Sequence, residues 1–214
     1  MIINSDIQKI YDDVAKEAFQ KYSILRENDD GEMKRFRLAE IEIYMIDKKN
    51  AIDDIFIHKN VMQLENKKEY EHYSGFDICL GNCKDVYCGV LVRGIMNEKD
   101  KIYGPGRVKY KREKRVKISR KIEINYEDID DEKLFFSDEV ITQDIKLKNT
   151  IFKLPRVNLG NTTSYKFLDN PEILKTYLNL KARYLRIENK QFYKSKCSPA
   201  EPREIFNVLI KSIT

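Results

Sequence analysis

The stretch FRLAEIEIYMID, residues 36–47, decides how the rest of the chain is read. Its apolar and polar residues alternate, so it predicts a strand with alternate side chains on opposite faces. Ile41, Ile43 and Met45 point one way; Glu40, Glu42 and Tyr44 point the other. Carboxylates are seldom buried unless they are paired or used. A strand with this much apolar character and two of them on one face therefore marks a place where charge is put to work.

Strand pattern extends over residues 33–46, and further strands are predicted in GFDICLGN (75–82) and VYCGVLVRGI (86–95). The second is β-branched and apolar enough for a central strand. Upstream, Ile7, Ile10, Tyr11, Val14, Ala18 and Tyr22 are spaced for one helix face within residues 5–25. Ser5 is the expected N-cap, and the helix should fade by NDDG (28–31). AIDDIFIHKN (51–60) reads as a loop with a short extended piece, and IYGPGRV (102–108) as a turn. In NPEILKTYLNL, Asn170 supplies a cap and Pro171 the first helical position. ARYLRIENKQFY (182–193) returns to strand pattern, and EPREIFNVLIKSI (201–213) is a closing amphipathic helix. The whole predicts one α+β domain over residues 1–214, an N-terminal helix within 1–30 and a core over 33–214. Its centre is a mixed or antiparallel curved sheet flanked by helices.

The 214 residues suffice for one full core, and 42% hydrophobic with 35% charged residues fit a globular chain with a charged surface. No apolar run approaches the roughly 20 residues of a membrane span, and the first residues lack the pattern of a secretory leader. Four cysteines do not make a disulfide framework for this length, so a reduced, cytoplasmic setting is expected. Cys79, Cys83 and Cys88 with His72 nearby resemble a zinc cluster only superficially, because Cys79 belongs to an apolar alternation and no C-x-x-C knuckle occurs. No phosphate-binding G-x-x-x-x-G-K-[ST] loop or G-x-S-x-G turn is present. The net charge is +5, and RVKYKREKRVKISRK (107–121) concentrates nine basic residues against one acidic. Such a run faces phosphates, or is a solvated ribbon balanced by the acidic YEDIDDEK (126–133) behind it.

Four stretches in order, EIEIY (40–44), GVLVRGI (89–95), GPGRV (104–108) and PRVNLG (155–160), resemble the alkyladenine (methylpurine) DNA glycosylase family. The resemblance covers roughly residues 36–193. It implies a methylpurine-glycosylase-like fold and excision of an alkylated or deaminated purine flipped out of double-stranded DNA. In such a reaction a carboxylate activates water and stabilises the cationic sugar left by the departing base. By match to the motif, Glu42 is that carboxylate and Tyr44 stacks on the flipped base, while Glu40 is structural and paired with a basic neighbour. Arg93 either orients the water beside Glu42 or serves as the partner of Glu40. Val157 would lend its carbonyl to the water. His58 is a pocket histidine or a surface one, and Tyr70 and Tyr73 either wall the pocket or pack. DNA contacts would come from Ser74, Arg107, Lys109, Lys111 and Arg112. No metal or organic cofactor is expected, nor a lysine nucleophile, and the protein is expected to be monomeric.

The sequence also departs from the family. Where the family often has a tyrosine that wedges into the gap left by the flipped nucleotide, this chain has Ser74, with Tyr73 just before it. The family's base-discriminating asparagine falls at Gly81, although a one-residue bulge would bring in Asn82. After GPGRV the family continues as a helix, whereas KYKREKRVKI alternates like a strand. Two alternatives stay open: a catalytically silent nucleic-acid-binding relative, and a hydrolase of free modified nucleosides.

Overall fold

The computed structural model describes residues 5–28, 30–113, 116–119, 121–127, 134–137, 150–156, 176–177 and 180–187. It begins with helix α1 (Ser5–Lys21), which buries Tyr11, Ala15, Ala18 and Phe19 on one face. The helix ends earlier than its apolar spacing suggested. Tyr22, expected on the helix face, opens strand β1 (Tyr22–Glu27), which pairs antiparallel with the start of β2 (Met33–Asp47). Aromatic and β-branched residues in YSILRE favour extended backbone, and Gly31 takes the positive φ of +85° in the connection.

The remaining strands are β3 (Ile52–Asp53), β4 (Asn66–His72), β5 (Gly75–Leu80), β6 (Val86–Met96) and β7 (Lys101–Tyr103). After the short helix α2 (Pro105–Lys109) come β8 (Tyr110–Glu113), β9 (Val116–Ser119), β10 (Ile122–Tyr126), β11 (Phe135–Ser137), β12 (Thr150–Leu154) and β13 (Arg183–Ile187). Among the described residues, eleven strands share one sheet whose main path is β11-β12-β13-β2-β6-β5-β4. β1 joins β2 to β10, while β3 and β7 add to β2 and β6. β11 and β12 run parallel, and the other pairs are antiparallel. The sheet curves until β4 meets β10, where the Lys67 ammonium lies 3.4 Å from the centre of the Tyr126 ring. The result is a mixed α+β architecture with a mostly antiparallel, nearly closed sheet and few helices. Within the basic run, β8 and β9 pair antiparallel as a separate two-stranded sheet.

One face of this sheet carries the core. Ile41, Ile43, Ile78, Val90 and Val92 are fully buried in the same cluster as the apolar side of α1. The long β2–β6 pairing is the spine, with register shifts on either side of Glu40. Helix 201–213 and residues 188–193 of the last predicted strand lie outside the described residues, as do 128–133. Thr176 and Tyr177, within the helix expected near Pro171, are helical. No helix among the described residues is long and apolar enough to cross a membrane.

Candidate functional site

Opposite the core, the sheet presents buried charge. Pairing of β2 with β6 and β13 sets Glu42 beside Leu91 on one side and Arg183 on the other. Arg93, two residues beyond Leu91, shares their face. Its Nε donates to Glu40 Oε1 at 2.7 Å, and its Nη1 lies 3.2 Å from Glu42 Oε2. Arg183 Nε donates to the same Glu40 oxygen at 2.8 Å. Tyr44 donates its hydroxyl to Glu42 Oε2 at 2.8 Å. Glu40 and Glu42 are 2% and 1% exposed, whereas Tyr44 is only partly buried. Arg93 is thus a partner of Glu40, and the same guanidinium also contacts Glu42.

The electrostatics follow from this packing. Burial alone would raise the Glu40 carboxyl, but Arg183 and then Arg93 overcome it and hold it below the usual range. Burial, reinforced by the negative charge of Glu42, pushes the Tyr44 phenol well above its ordinary value, against Arg156 and Arg93. Tyr44 is therefore a fixed proton donor to Glu42 through the neutral range. Gly94 makes room for the cluster, because a Cβ there would stand 2.6 Å from the Tyr103 ring and 3.1 Å from the Glu40 Cβ.

Arg156, from the PRV segment, closes one side of Tyr44. Its guanidinium centre lies 4.7 Å from the Tyr44 ring centre and 5.3 Å from that of Phe56. The two terminal nitrogens grip both oxygens of the fully buried Asp54, and Tyr11 donates its hydroxyl to the same carboxylate at 3.2 Å. They also donate to the carbonyls of Ile43 at 3.1 Å and Tyr177 at 3.0 Å. Burial would lower the Arg156 pKa, but Asp54 more than reverses this and raises it, so the cation is permanent.

A second polar group sits on β4 and β5, where register aligns Tyr70, Asp77, Leu91 and Glu42 in one row across the sheet. Asp77 accepts from Gln63 Nε2 at 2.8 Å and bonds His72 Nε2 at 3.1 Å. Gln63 is delivered by a 3-10 turn (Val61–Leu64) in which it forms a capping box with Asn60. Gly89 leaves space for this contact, since a Cβ there would come within 2.5 Å of Gln63 Nε2 and 2.6 Å of Asp77 Oδ2. His58, Tyr70 and His72 form a ring cluster with centroids 5.1–5.9 Å apart, in which His58 is exposed. Tyr73 and Ser74 make the two-residue turn between β4 and β5. Ser74 bonds His72 Nδ1 at 2.9 Å, while Tyr73 is 91% exposed. Tyr73 is therefore no wall of a pocket; it projects from the hairpin tip.

Two further expectations are corrected. Lys109 does not face outward: it is buried, with its ammonium 2.9 Å from Glu71 and donating to the His72 carbonyl at 3.2 Å. Burial would lower its pKa, but the Glu71 contact reverses this, so the charge ties α2 to the hairpin. Asn82 lies on an exposed turn, where its side-chain oxygen accepts from the backbone nitrogens of Lys84, Asp85 and Val86. Val86 is five residues along β6 from Leu91, so this turn lies roughly 17 Å from the Glu42 row. Arg107 is exposed at the end of α2, whose last carbonyls accept from the buried Arg26. The backbones of Lys111 and Arg112 pair with Ile118 and Lys117 in the basic two-stranded sheet, and Val157 lies outside the described residues.

Sequence reasoning missed Arg183, Asp77 and the Arg156–Asp54 pair. The signal that marked Glu40 and Glu42 was present for two of them, since Asp77 interrupts GFDICL and Arg183 interrupts ARYLRI. Among the described residues no group of three His, Cys, Asp or Glu side chains is arranged to hold a metal ion. Cys79, Cys83 and Cys88 are free thiols, with burial raising Cys79 to about 12. No protein-family model, curated protein or solved structure matches this chain.

Proposed function

We propose that the chain is a monofunctional DNA glycosylase with a methylpurine-glycosylase-like fold. It acts as a monomer on double-stranded DNA carrying a damaged purine. The observation that carries this reading is the buried Glu42 carboxylate, held by the Tyr44 hydroxyl at 2.8 Å and the Arg93 guanidinium at 3.2 Å. A carboxylate fixed in this way can take a proton from water and face the positive charge that develops on a sugar as its base departs. Water adds to the anomeric carbon, the carbon–nitrogen bond breaks, and its electron pair leaves with the purine. Tyr44, beside the carboxylate and partly accessible, offers an aromatic surface to the flipped base.

The hairpin turn supplies further support. Ser74 is tied to His72, so Tyr73 takes the wedge position one residue earlier than in the family, projecting from the tip where an inserted side chain belongs. Arg107 and the β8–β9 pair supply the phosphate contacts in place of the buried Lys109.

The test is release of base from duplexes carrying hypoxanthine or 1,N6-ethenoadenine, and from bulk methylated DNA. Release by the wild type that vanishes in a folded Glu42→Gln variant is the expected outcome. No release from any substrate, with salt-sensitive DNA binding intact, would replace catalysis by a silent binding role.

A further inference from the structure

Resting on the glycosylase reading, we propose that this site selects neutral purine lesions over cationic ones, and that Arg156 sets the preference. An aromatic face attracts a cation through its quadrupole. On Tyr44 that attraction is already engaged, because the Arg156 guanidinium lies 4.7 Å from the ring centre. Asp54 holds the terminal nitrogens of Arg156, fixing its central carbon 4.7 Å from the Tyr44 ring centre and 5.3 Å from that of Phe56. A cationic base stacked on the other side of Tyr44 would make a cation–ring–cation sandwich, in which the two like charges repel across the ring. A neutral, electron-rich purine meets the opposite situation, since a ring polarised by a cation behind it stacks better on an electron-rich partner.

The charges nearest Tyr44 are already matched to one another. Its buried carboxylates, Glu40, Glu42 and Asp54, face three buried guanidiniums, Arg93, Arg156 and Arg183. These three pairs cancel, and the further buried carboxylate of this face, Asp77, stands across Leu91 from Glu42 and is engaged by Gln63 and His72. A damaged purine would then be recognised by shape and stacking rather than by its charge.

The experiment uses Glu42→Gln, which should bind without excising, and measures affinity for duplexes carrying 1,N6-ethenoadenine or 7-methylguanine on 2′-fluoro sugars that slow depurination. The neutral lesion should bind at least tenfold tighter than the cationic one. The gap should shrink severalfold when Asp54→Asn and Arg156→Gln are added together, a change that removes both buried charges and keeps hydrogen-bonding groups. Equal or tighter binding of 7-methylguanine would overturn the inference and leave the glycosylase reading standing. A gap unchanged in a folded triple variant would remove Arg156 as its cause. Binding that ignores both lesions would overturn the glycosylase reading itself. Should the triple variant fail to fold by circular dichroism, the comparison of the two lesions still decides the preference.

Discussion

Glu40 and Glu42 are two residues apart on one strand face, equally buried, and should respond to mutation in opposite ways. Glu40 receives the Nε hydrogen bonds of both Arg93 and Arg183. Truncating it to alanine leaves two buried guanidiniums short of their carboxylate, and loss of one partner from a buried ion pair costs about 3–5 kcal/mol. For a chain of this size each kcal/mol is about 2–4 °C, so Glu40→Ala should lower the melting temperature by roughly 6–20 °C. Glu42→Gln keeps an oxygen to accept from Tyr44 and Arg93, so it should stay folded while excision disappears. The pH dependence separates them further. Because the folded Glu40 carboxyl titrates below its unfolded value, its stabilisation is fully present above the usual carboxylate range and fades as pH falls through the lowered folded value. Urea unfolding between pH 7 and pH 3 should show that acid loss in the wild type and a shallower one in Glu40→Ala. A Glu40→Ala protein within 1 kcal/mol of wild type at pH 7, by the same measurement, would refute the assignment of Glu40 as the clamp.

Other outcomes follow from single contacts. Gly89→Ala drives a Cβ against Gln63 and Asp77 and should cost about 1–3 kcal/mol in urea unfolding; a neutral result would mean that the Gln63–Asp77 contact yields freely. Tyr73→Ala should leave stability within about 0.5 kcal/mol yet weaken lesion binding by roughly five- to 150-fold, the range of one lost base–aromatic stack; unchanged affinity by fluorescence anisotropy would exclude the wedge. Burial raises Cys79 to about 12 and also raises Cys88, Tyr11 and Tyr44. Their stabilisation is complete below the unfolded pKa values and is lost as pH climbs through the folded ones, so urea midpoints should fall steadily above about pH 9. A flat midpoint to pH 11 would contradict that burial.

The spine of the fold was legible because alternation is a local property. EIEIY and GVLVRGI each declared a strand, and their pairing followed from the shared need to bury Ile41, Ile43, Val90 and Val92. β1 was not legible, since Tyr22 fell by coincidence into the helix period of α1 and only pairing with β2 fixes it as a strand. Asn82 was misplaced for a similar reason: whether an asparagine lines a site or caps a turn depends on the backbone nitrogens around it, here those of Lys84 to Val86. The partner of Arg156 is 102 residues away in sequence, beyond the reach of any local pattern.

The charged face also bears on why the sheet is built as it is. A buried ion pair adds little net stability over a well-packed apolar pair of the same volume. The core on the α1 side already holds the sheet, and it does so with aliphatic and aromatic side chains in the ordinary way. Nothing about folding requires Glu40, Glu42, Asp54 and Asp77 to stand on one strand face or beside it, each answered by arginine, glutamine or histidine. Leucine and isoleucine would serve stability there as well. What they would not supply is a carboxylate pinned beside an aromatic ring and away from bulk water, the group that the proposed reaction requires. On the proposed glycosylase reading Glu40 is the cost of that arrangement: it fixes Arg93 through Nε, and Nη1 of the same guanidinium is held toward Glu42.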